Sequence, residues 1–344
     1  MASDLLNEEG VSFHCVGNCD SPVSRNVTGA TKALVMCGGH MYPGVTDESD
    51  LEAYRFLLEH AKGGDILVLT ADEDPCDIYN PFIYNMSGLP EGAQPNSVTT
   101  ACFTERSGSS HPRVASLLQN ASAVFVTGGD QGKYYHYWRD SPVSELLPHV
   151  PGFGGSSAGL AVQGQFVFNA LEGSVVSSEA LHRPMERDIT LTDKLFSLEW
   201  MKGVLTDTHF FQRDRMGRIV TFLARVAKYG WAPENKILGV AISEHTAVLV
   251  DGETGEASVM GAGPAYFLMP THDAPERCTE GEPLTYRDIR VLRWNNTGVQ
   301  TSKTPVFSFA NWEPTSAGKG VMTPYNLSAV DGRLESTQPD GSIY

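Results

Sequence analysis

The sequence predicts an α/β fold, a three-layer sandwich around a mostly parallel sheet with an antiparallel C-terminal meander. Short continuous apolar runs such as 66–70 are bounded by glycine or polar residues, which is typical of buried parallel strands. Segments with helical spacing separate these runs, and strands that alternate with helices in this way form right-handed crossovers. From residue 236 onward, apolar runs follow one another with only tight turns between them, which indicates antiparallel pairing.

The first half of the chain alternates between strands and helices. The predicted strands are residues 33–39, 66–70, 98–104 and 123–127. The predicted helices are residues 48–60, 111–120 and 133–147. Residues 72–96 are rich in Pro, Asn and Gly, so we expect a long loop with a short helix there.

The second half begins at a serine-containing turn and ends in the meander. We predict a helix over 160–168, an irregular segment over 173–191, and a stretch from 195 that leads into a strand end at 205–209. A helix over 216–229 carries apolar residues on one face. The predicted meander strands are 236–242, 246–250, 257–260 and 265–268, with a hairpin turn at 251–252 and a further strand-like run at 289–293.

These elements divide the chain of 344 residues into three parts. Residues 1–30 are polar with little periodicity and are interpreted as an N-terminal extension, tied down through Cys15 or Cys19. Residues 31–270 are expected to form the main α/β domain. Residues 271–344, which end in a Pro/Ser/Thr/Gly-rich tail, form a C-terminal extension packed on the same domain.

The charge balance excludes two classes of partner. The formal net charge is -16, from 25 Lys and Arg against 41 Asp and Glu. Nucleic acids and anionic membrane surfaces both require clustered basic residues, so we expect neither as a partner. No apolar run approaches the roughly 18 residues that span a bilayer, and the N-terminus lacks the basic and apolar regions of a signal peptide.

Cysteines and glycosylation sequons bear on the compartment. The six cysteines include no C-x-x-C pair, so a thiolate zinc site is not expected. Five of the thirteen asparagines begin N-x-[ST] sequons, namely Asn26, Asn85, Asn120, Asn295 and Asn326. Five sequons are more than the roughly two expected by chance. The excess predicts a secreted, secretory-pathway or vacuolar protein with some cysteines paired, whose signal peptide is absent from this sequence. A cytoplasmic protein with free cysteines and unused sequons is the alternative.

One stretch matches a pattern used by serine nucleophiles. Gly155-Ser156-Ser157-Ala158-Gly159 fits G-x-S-x-G, in which a serine sits on a sharp turn between a strand and a helix. Side chains at the flanking glycine positions would clash in such a turn. A flexible Gly/Ser-rich loop has the same composition, so the pattern alone leaves both interpretations open.

A serine needs a base to become a nucleophile, and the base needs an acid to orient it. His209 follows a predicted strand and precedes three arginines, and Glu244 ends another predicted strand. Ligands of open α/β sheets bind at the carboxyl ends of strands, where both residues fall. His40 also ends a strand and could line the same pocket. The remaining histidines show no metal-ligand spacing, so we predict no metal and no cofactor.

Four stretches together resemble cyanophycinase and the wider group of serine peptidases that includes aspartyl dipeptidase (peptidase family S51). They are Gly128–Gln131, Gly155–Gly159, Asp207–Arg218 and Gly239–Glu244, and the resemblance covers about residues 33–270. The pattern D-x-H-F-x-Q-R-x-R-x-G-R is its longest match. The resemblance implies a fold akin to class I glutamine amidotransferases and a homodimer.

The resemblance also implies roles for individual residues. Ser157 would be the nucleophile, His209 the general base and then acid, and Glu244 the carboxylate that orients the imidazole. Backbone N–H groups of Gly129 and Ala158 would form the oxyanion hole. The substrate pocket would contain Gln131, Asp207, Thr208, Arg213, Arg215 and Arg218, and guanidinium groups suit a substrate with a free carboxylate.

The implied activity is serine hydrolysis of aspartyl bonds in a small peptide, β-aspartyl isopeptide bonds in particular, through an acyl-enzyme. Thr208 stands where cyanophycinase typically has Gln, and Ser156 where it usually has Thr, so the leaving-group specificity stays open. One alternative is that the same three residues act on α-aspartyl dipeptides, or on another amide or ester. A non-catalytic secreted binding protein is the other. An α/β-hydrolase is disfavoured because its carboxylate precedes its histidine in the chain.

Overall fold

The computed structural model describes residues 9–44, 48–71, 76–232, 236–294 and 303–344. In these residues the strands are β1 Val11–Gly17, β2 Ala33–Cys37, β3 Ile66–Thr70, β4 Ser97–Phe103, β5 Ala123–Val126, β6 Gly152–Ser156, β7 Phe166–Phe168, β8 Leu191–Asp193, β9 Val204–Asp207, β10 Leu238–Ile242, β11 Thr246–Asp251, β12 Glu256–Gly261, β13 Ala265–Pro270, β14 Tyr286–Trp294, β15 Phe307–Ser308, β16 Glu313–Pro314, β17 Met322–Val330 and β18 Arg333–Ser336. The helices are α1 Arg25–Thr28, α2 Glu48–Ala61, α3 Tyr79–Tyr84, α4 Pro112–Asn120, α5 Gln131–Trp138, α6 Pro142–Leu146, α7 Ala158–Ala161, α8 Ser177–His182 and α9 Met216–Tyr229.

The strands form two sheets. The first has the order β1-β4-β3-β5-β6-β2-β11-β12-β15-β16, and its centre from β4 to β2 is parallel. The second has the order β18-β17-β14-β13-β10-β9-β7-β8, in which β7, β9 and β10 are parallel and the other pairs are antiparallel. The α/β class is therefore as the sequence predicts, but among the described strands parallel pairing is confined to the run from β4 to β2 in the first sheet and to β7, β9 and β10 in the second.

The two sheets share one hydrophobic core. Leu34 and Met36 of β2 belong to the same buried cluster as Val240 and Ile242 of β10, and Phe267 of β13 joins them. The alternate residues of each strand point away from this shared core, because successive side chains of a strand face opposite ways. On the first sheet they pack against α2, and on the second they pack against α8 and α9.

The expectation of a three-layer sandwich around a single, mostly parallel sheet is wrong, because the strands form two sheets. The β11–β12 hairpin, predicted around residues 251–252, is added to β2 in the first sheet, whereas β10 and β13 on either side of it pair with each other in the second. Hydrophobic runs show which residues are buried but not which strand lies beside them, so the sequence pattern could not separate the two sheets.

Two predicted helices also differ. The helix expected over 160–168 ends at Ala161, and residues 166–168 form β7, because a short apolar run suits a buried strand as well as a helix. The helix expected over 133–147 is interrupted between α5 and α6. Ser141 begins α6 with a capping box that uses Ser144, and Pro142 follows it, which starts a new helix rather than continuing the old one.

The chain ends contribute strands to both sheets. In the segment interpreted as an N-terminal extension, β1 pairs antiparallel with β4, and Cys15 is bonded to Cys19. A second disulfide joins Cys76 to Cys102. The segment beyond residue 270 contributes β14, β17 and β18 to the second sheet and β15 and β16 to the first. Residues 1–8, part of the predicted loop at 72–75 and the sequon at Asn295 lie outside the described residues.

Among the described residues, no helix is both long and apolar enough to cross a bilayer.

Candidate active site

Ser157 lies at the turn between β6 and α7, at the carboxyl end of the central parallel strands. Its backbone has φ 53° and ψ -113°, a conformation that non-glycine residues rarely adopt, and its N–H donates to the Cys37 carbonyl at 3.1 Å. A Cβ at Gly155 would lie 2.5 Å from the Gly159 carbonyl oxygen, and a Cβ at Gly159 would collide with the Val126 carbonyl. Both glycines of the G-x-S-x-G pattern are therefore needed for close backbone packing, as the sequence predicts.

His209 reaches this serine from the second sheet. It follows β9, has φ 46°, and its N–H donates to the Gly38 carbonyl at 2.7 Å. Its Nε2 lies 2.6 Å from the Ser157 hydroxyl oxygen. A Cβ at Gly39 would overlap the imidazole ring, so a glycine there is what lets the ring approach.

Glu244 completes the series two residues beyond β10. Its Oε1 lies 2.6 Å from Nδ1 of His209. The Glu244 N–H donates to the Gln212 side-chain oxygen at 3.0 Å, which fixes the backbone of the carboxylate on the loop that carries the histidine. The structure thus brings together the three residues that the sequence assigns to the catalytic set.

The surroundings of His209 favour its neutral form. The pKa of His209 is lowered from its usual 6.5 to about 4, chiefly by burial. The hydrogen bond and charge of Glu244 oppose this shift, and the nearby charges of Arg213 and Arg215 contribute to it. An imidazole that is neutral at pH 7 has a lone pair for a serine proton. Hydrogen bonding of Nδ1 to a carboxylate places that lone pair on Nε2, which faces Ser157.

An open cleft of about 500 Å³ lies above Ser157. Its lining includes His40, Tyr42, Cys76, Gly129, Ser157 and Arg213. Gly129 has φ 127°, and the turn that contains it is held by the Tyr134 hydroxyl, which donates to the Gly128 carbonyl at 2.8 Å. Ala158, whose N–H starts α7, is buried directly after the serine.

The residues predicted for substrate binding differ in their access to the cleft. Arg213 lines the cleft with about half of its side chain exposed, and its Nε lies 3.9 Å from Glu244. Asp207 and Arg218 instead form a buried ion pair, with Nε–Oδ2 at 2.8 Å and Nη2–Oδ1 at 2.5 Å, and neither lines the cleft. Their charges are satisfied by each other within the protein, which indicates a supporting position.

The other predicted pocket residues lie behind or beside the cleft. Arg215 donates to both the carbonyl and the hydroxyl of Thr208, at 2.8 and 3.1 Å, and burial lowers the pKa of its guanidinium to about 10, so it stays charged at neutral pH. Gln131 is the first residue of α5 and is partly exposed, next to the Asp130 cap.

Sequence reasoning missed several contacts around Glu244 and His209. His40, with φ 63°, places Nε2 at 3.2 Å from Glu244 Oε1, and its ring contacts that of His209 edge-on. Gln212 lies within the D-x-H-F-x-Q-R pattern but had no assigned role. These contacts join residues that are far apart in the chain, so no local spacing could reveal them.

Two groups of described residues bring metal-ligating atoms close together. His40, His209 and Glu244 each offer one ligand atom within 4.8 Å of the others. His14, Cys76 and Cys102 form the second group, but their two sulfur atoms are joined in a disulfide and cannot act as thiolates.

A wider depression of about 760 Å³ lies beside the second sheet, away from the serine. Its one thiol belongs to Cys278, and burial raises the pKa of that thiol to about 11. It lacks a nucleophile paired with a base, so the cleft at Ser157 is the better candidate for chemistry.

Comparison with known proteins shows that the chain is similar in sequence to cyanophycinases. It is 30% identical over 270 residues to the cyanophycinase of Trichormus variabilis and equally to that of a Nostoc species, covering 76% of this chain and 83% of each relative. It is 26% identical over 195 residues to the cyanophycinase of Synechococcus elongatus, covering 54% and 55%. No protein-family model matches the chain.

Among solved structures, the chain is similar to a peptidase from an acI-B1 Actinobacterium, with a TM-score of 0.46, 14% identity, and coverage of 80% of this chain and 98% of that one. A peptidase E-like protein from Listeria monocytogenes has a TM-score of 0.40 at 12% identity, covering 67% and 99%.

Proposed function

The chain belongs to the cyanophycinase family of peptidases, and from this premise we propose that it is a serine hydrolase that cleaves aspartyl bonds through an acyl-enzyme. The preferred substrate in this proposal is a small peptide with a β-aspartyl isopeptide bond. We also propose that the fold is related to that of class I glutamine amidotransferases, as the resemblance of the motifs implies.

The main support for the proposal is the continuous series of hydrogen bonds from Ser157 through His209 to Glu244. Ser157 Oγ lies 2.6 Å from His209 Nε2, and His209 Nδ1 lies 2.6 Å from Glu244 Oε1. In the first half-reaction the Ser157 oxygen attacks the scissile carbonyl carbon while His209 Nε2 takes the hydroxyl proton. Glu244 stabilises the imidazolium that forms. His209 then gives the proton to the departing amine, the carbon–nitrogen bond breaks, and an ester to Ser157 remains.

In the second half-reaction water attacks the ester carbonyl. His209 accepts a proton from the water and returns it to the Ser157 oxygen as the acid product leaves. The backbone N–H groups of Gly129 and Ala158 are the proposed donors to the oxyanion in both halves. One such donor contributes on the order of 3 kcal/mol to transition-state stabilisation in serine hydrolases.

Arg213 is the proposed partner for a free carboxylate of the substrate. It lines the cleft, and the exposed half of its side chain leaves its guanidinium accessible. A guanidinium binds a carboxylate through two parallel hydrogen bonds, which fixes orientation as well as charge. Arg215, which stays charged at neutral pH, would add positive potential near the site.

The proposal is tested by hydrolysis of β-aspartyl-arginine with wild type, Ser157→Ala and Ser156→Ala. Loss of the nucleophile should lower the rate by about 10⁶-fold, to background. Ser156→Ala removes the neighbouring hydroxyl and leaves Ser157 in place, so it should retain turnover. Full activity of a folded Ser157→Ala protein would contradict the assignment of the nucleophile.

A different leaving group is the second candidate, and one observation favours it. Thr208 is held by Arg215 through both its carbonyl and its hydroxyl, so it offers less to the substrate than the glutamine typical of cyanophycinase. A panel of α-aspartyl and β-aspartyl dipeptides distinguishes the two substrates. A non-catalytic binding protein on this scaffold would instead fail to react with a fluorophosphonate at Ser157.

We also propose that the protein passes through the secretory pathway and forms a homodimer. Three sequon asparagines, Asn26, Asn85 and Asn326, are exposed, and two disulfides are present. A mobility shift after glycosidase treatment of the protein from its native source tests the first part. Light scattering tests the second. Unmodified protein with reduced cysteines would favour the cytoplasmic alternative.

A further inference from the structure

Two histidines and one carboxylate meet on one side of the cleft. Oε1 of Glu244 lies 2.6 Å from His209 Nδ1 and 3.2 Å from His40 Nε2, so a single oxygen stands between the two imidazoles. The side chain of His40 is 37% exposed and lines the cleft, so solvent and dissolved ions reach this cluster.

We propose that His40, His209 and Glu244 form a binding site for a divalent transition-metal ion, with Zn²⁺ the best match, and that the bound ion inhibits the enzyme. Imidazole nitrogen and carboxylate oxygen are ordinary Zn²⁺ ligands, and three protein ligands leave a fourth position for water. The inhibition rests on the proposed function, whereas binding of the ion does not.

The distances suit such an ion after a small adjustment. Bonds of about 2.0–2.2 Å in a tetrahedral site place neighbouring ligand atoms roughly 3.3 Å apart. The separation between His40 and Glu244 already has this value, at 3.2 Å. The 2.6 Å contact between His209 and Glu244 must lengthen as the ion replaces the shared proton. Arg213, with Nε 3.9 Å from the same oxygen, opposes a cation, so the site should bind reversibly.

The ion would act through the tautomer of His209. Zn²⁺ needs the lone pair of Nδ1, so the ring proton that Nδ1 donates to Glu244 must move to Nε2. Nε2 then carries a hydrogen and can only donate towards Ser157. The serine loses its proton acceptor, and the carboxylate that would stabilise an imidazolium is engaged by the ion. Substrate hydrolysis therefore stops without any change to Ser157 itself.

Direct binding is measured with the full chain, treated with EDTA, in the absence of reductant so that Cys76 and Cys102 remain bonded. Zn²⁺ is titrated against a chromogenic chelator, and Co²⁺ absorption reports the geometry. Wild type and Ser157→Ala should each bind one ion, because the serine is not a ligand. His40→Asn removes one ligand, and Asn tolerates the positive φ at this position, so affinity should fall at least about tenfold.

Glu244→Gln, a second variant with a ligand removed, should also weaken binding. Unchanged Zn²⁺ affinity in folded His40→Asn and Glu244→Gln proteins would overturn the site. So would the absence of Zn²⁺ binding by wild type.

Inhibition is measured in parallel with β-aspartyl-arginine. Zn²⁺ should abolish wild-type turnover and EDTA should restore it, whereas His40→Asn should need at least tenfold more Zn²⁺ relative to its own zinc-free rate. Equal sensitivity of the two proteins would overturn inhibition through this site. If the zinc-free enzyme hydrolyses nothing, the proposed function fails, and the binding titration still decides whether the metal site exists.

Discussion

At the scale of single residues, the candidate site depends on unusual backbone conformations held by close packing. His40, Ser157 and His209 all have positive φ, and each such residue costs on the order of 1–3 kcal/mol. Contacts from Gly38 and Cys37 to the backbones of His209 and Ser157 hold two of them in place. The strain therefore lies at the atoms that the proposed chemistry uses.

Substitution of Gly39 tests whether the His209 imidazole needs the space that this glycine leaves. A methyl group at Gly39→Ala would overlap the ring of His209 and push it away from Ser157, so we expect kcat to fall by about 100-fold. Gly29→Ala is the matched control, because Gly29 also has positive φ but no atom within 4 Å of a new Cβ. It should cost stability without affecting catalysis. Equal rates for the two variants would show that the ring does not need this space.

The pH dependence follows from the lowered pKa of His209. In the proposed mechanism His209 acts as a base only when its imidazole is unprotonated. Activity should therefore persist below pH 6.5 and be lost as the pH falls towards 4. The rate of Ser157 labelling by a fluorophosphonate measures this, because the probe itself does not titrate there. Arg213→Gln removes a charge that lowers the pKa, so its midpoint should move to higher pH. A wild-type midpoint at or above 6.5 would contradict the environment described for His209.

At the scale of elements, the buried pair between Asp207 and Arg218 joins the end of β9 to α9. Both side chains are less than 5% exposed, and the guanidinium also lies 5.4 Å from the ring centre of Phe168. The pair holds the strand end from which His209 projects. The catalytic histidine of the proposal is thus positioned by a helix that does not itself reach the cleft.

Arg218→Gln should lower the free energy of unfolding by about 3–5 kcal/mol, because it leaves the Asp207 carboxylate buried without its counter-charge. The matched control is Arg290→Gln, which breaks the pair with Glu313 near the surface. Exposed pairs contribute about 0–1 kcal/mol, so the control should change little. Denaturant unfolding of the two variants makes the comparison, and similar losses would contradict a structural role for the buried pair.

At the scale of the whole molecule, the shared core couples the two sheets that bring the site together. Phe267 of β13 stacks on Phe307 of β15, with ring centres 4.0 Å apart, so one aromatic contact bridges the second sheet to the first. Ser157 follows β6 of the first sheet, and His209 and Glu244 follow strands of the second. Relative displacement of the sheets would separate Ser157 from His209.

Phe267→Ala should therefore lower the free energy of unfolding by about 3–5 kcal/mol through the cavity that it leaves. Thermal unfolding followed by near-UV circular dichroism, with labelling of Ser157 at each temperature, should show both signals lost together at a lower temperature. Phe267→Leu, which keeps most of the volume, is the control. Loss of labelling well before loss of structure would indicate that the sheets separate independently.

Sequence patterns predicted those features that depend on local chemistry. The bounds of α9 match the predicted 216–229. Both signals that define this helix, the spacing of its apolar residues and the glycine that follows it, lie within one continuous segment. The turn at Ser157 and the strand-end positions of His209 and Glu244 also follow from local patterns. The partition into two sheets and the contact of His40 with Glu244 depend on residues that are distant in the chain, so spacing alone could not give them. The pairing of Asp207 with Arg218 joins the two ends of one motif, and it depends on how the segment between β9 and α9 folds back.

Trapping of the covalent intermediate shows whether Ser157 is the nucleophile of an acyl-enzyme. The enzyme is quenched with acid during turnover of β-aspartyl-arginine, digested, and analysed by mass spectrometry. We expect an aspartyl adduct on the peptide that contains Ser157, present in Ser156→Ala and absent in Ser157→Ala. An adduct on another residue, or turnover by Ser157→Ala at the wild-type rate, would contradict it.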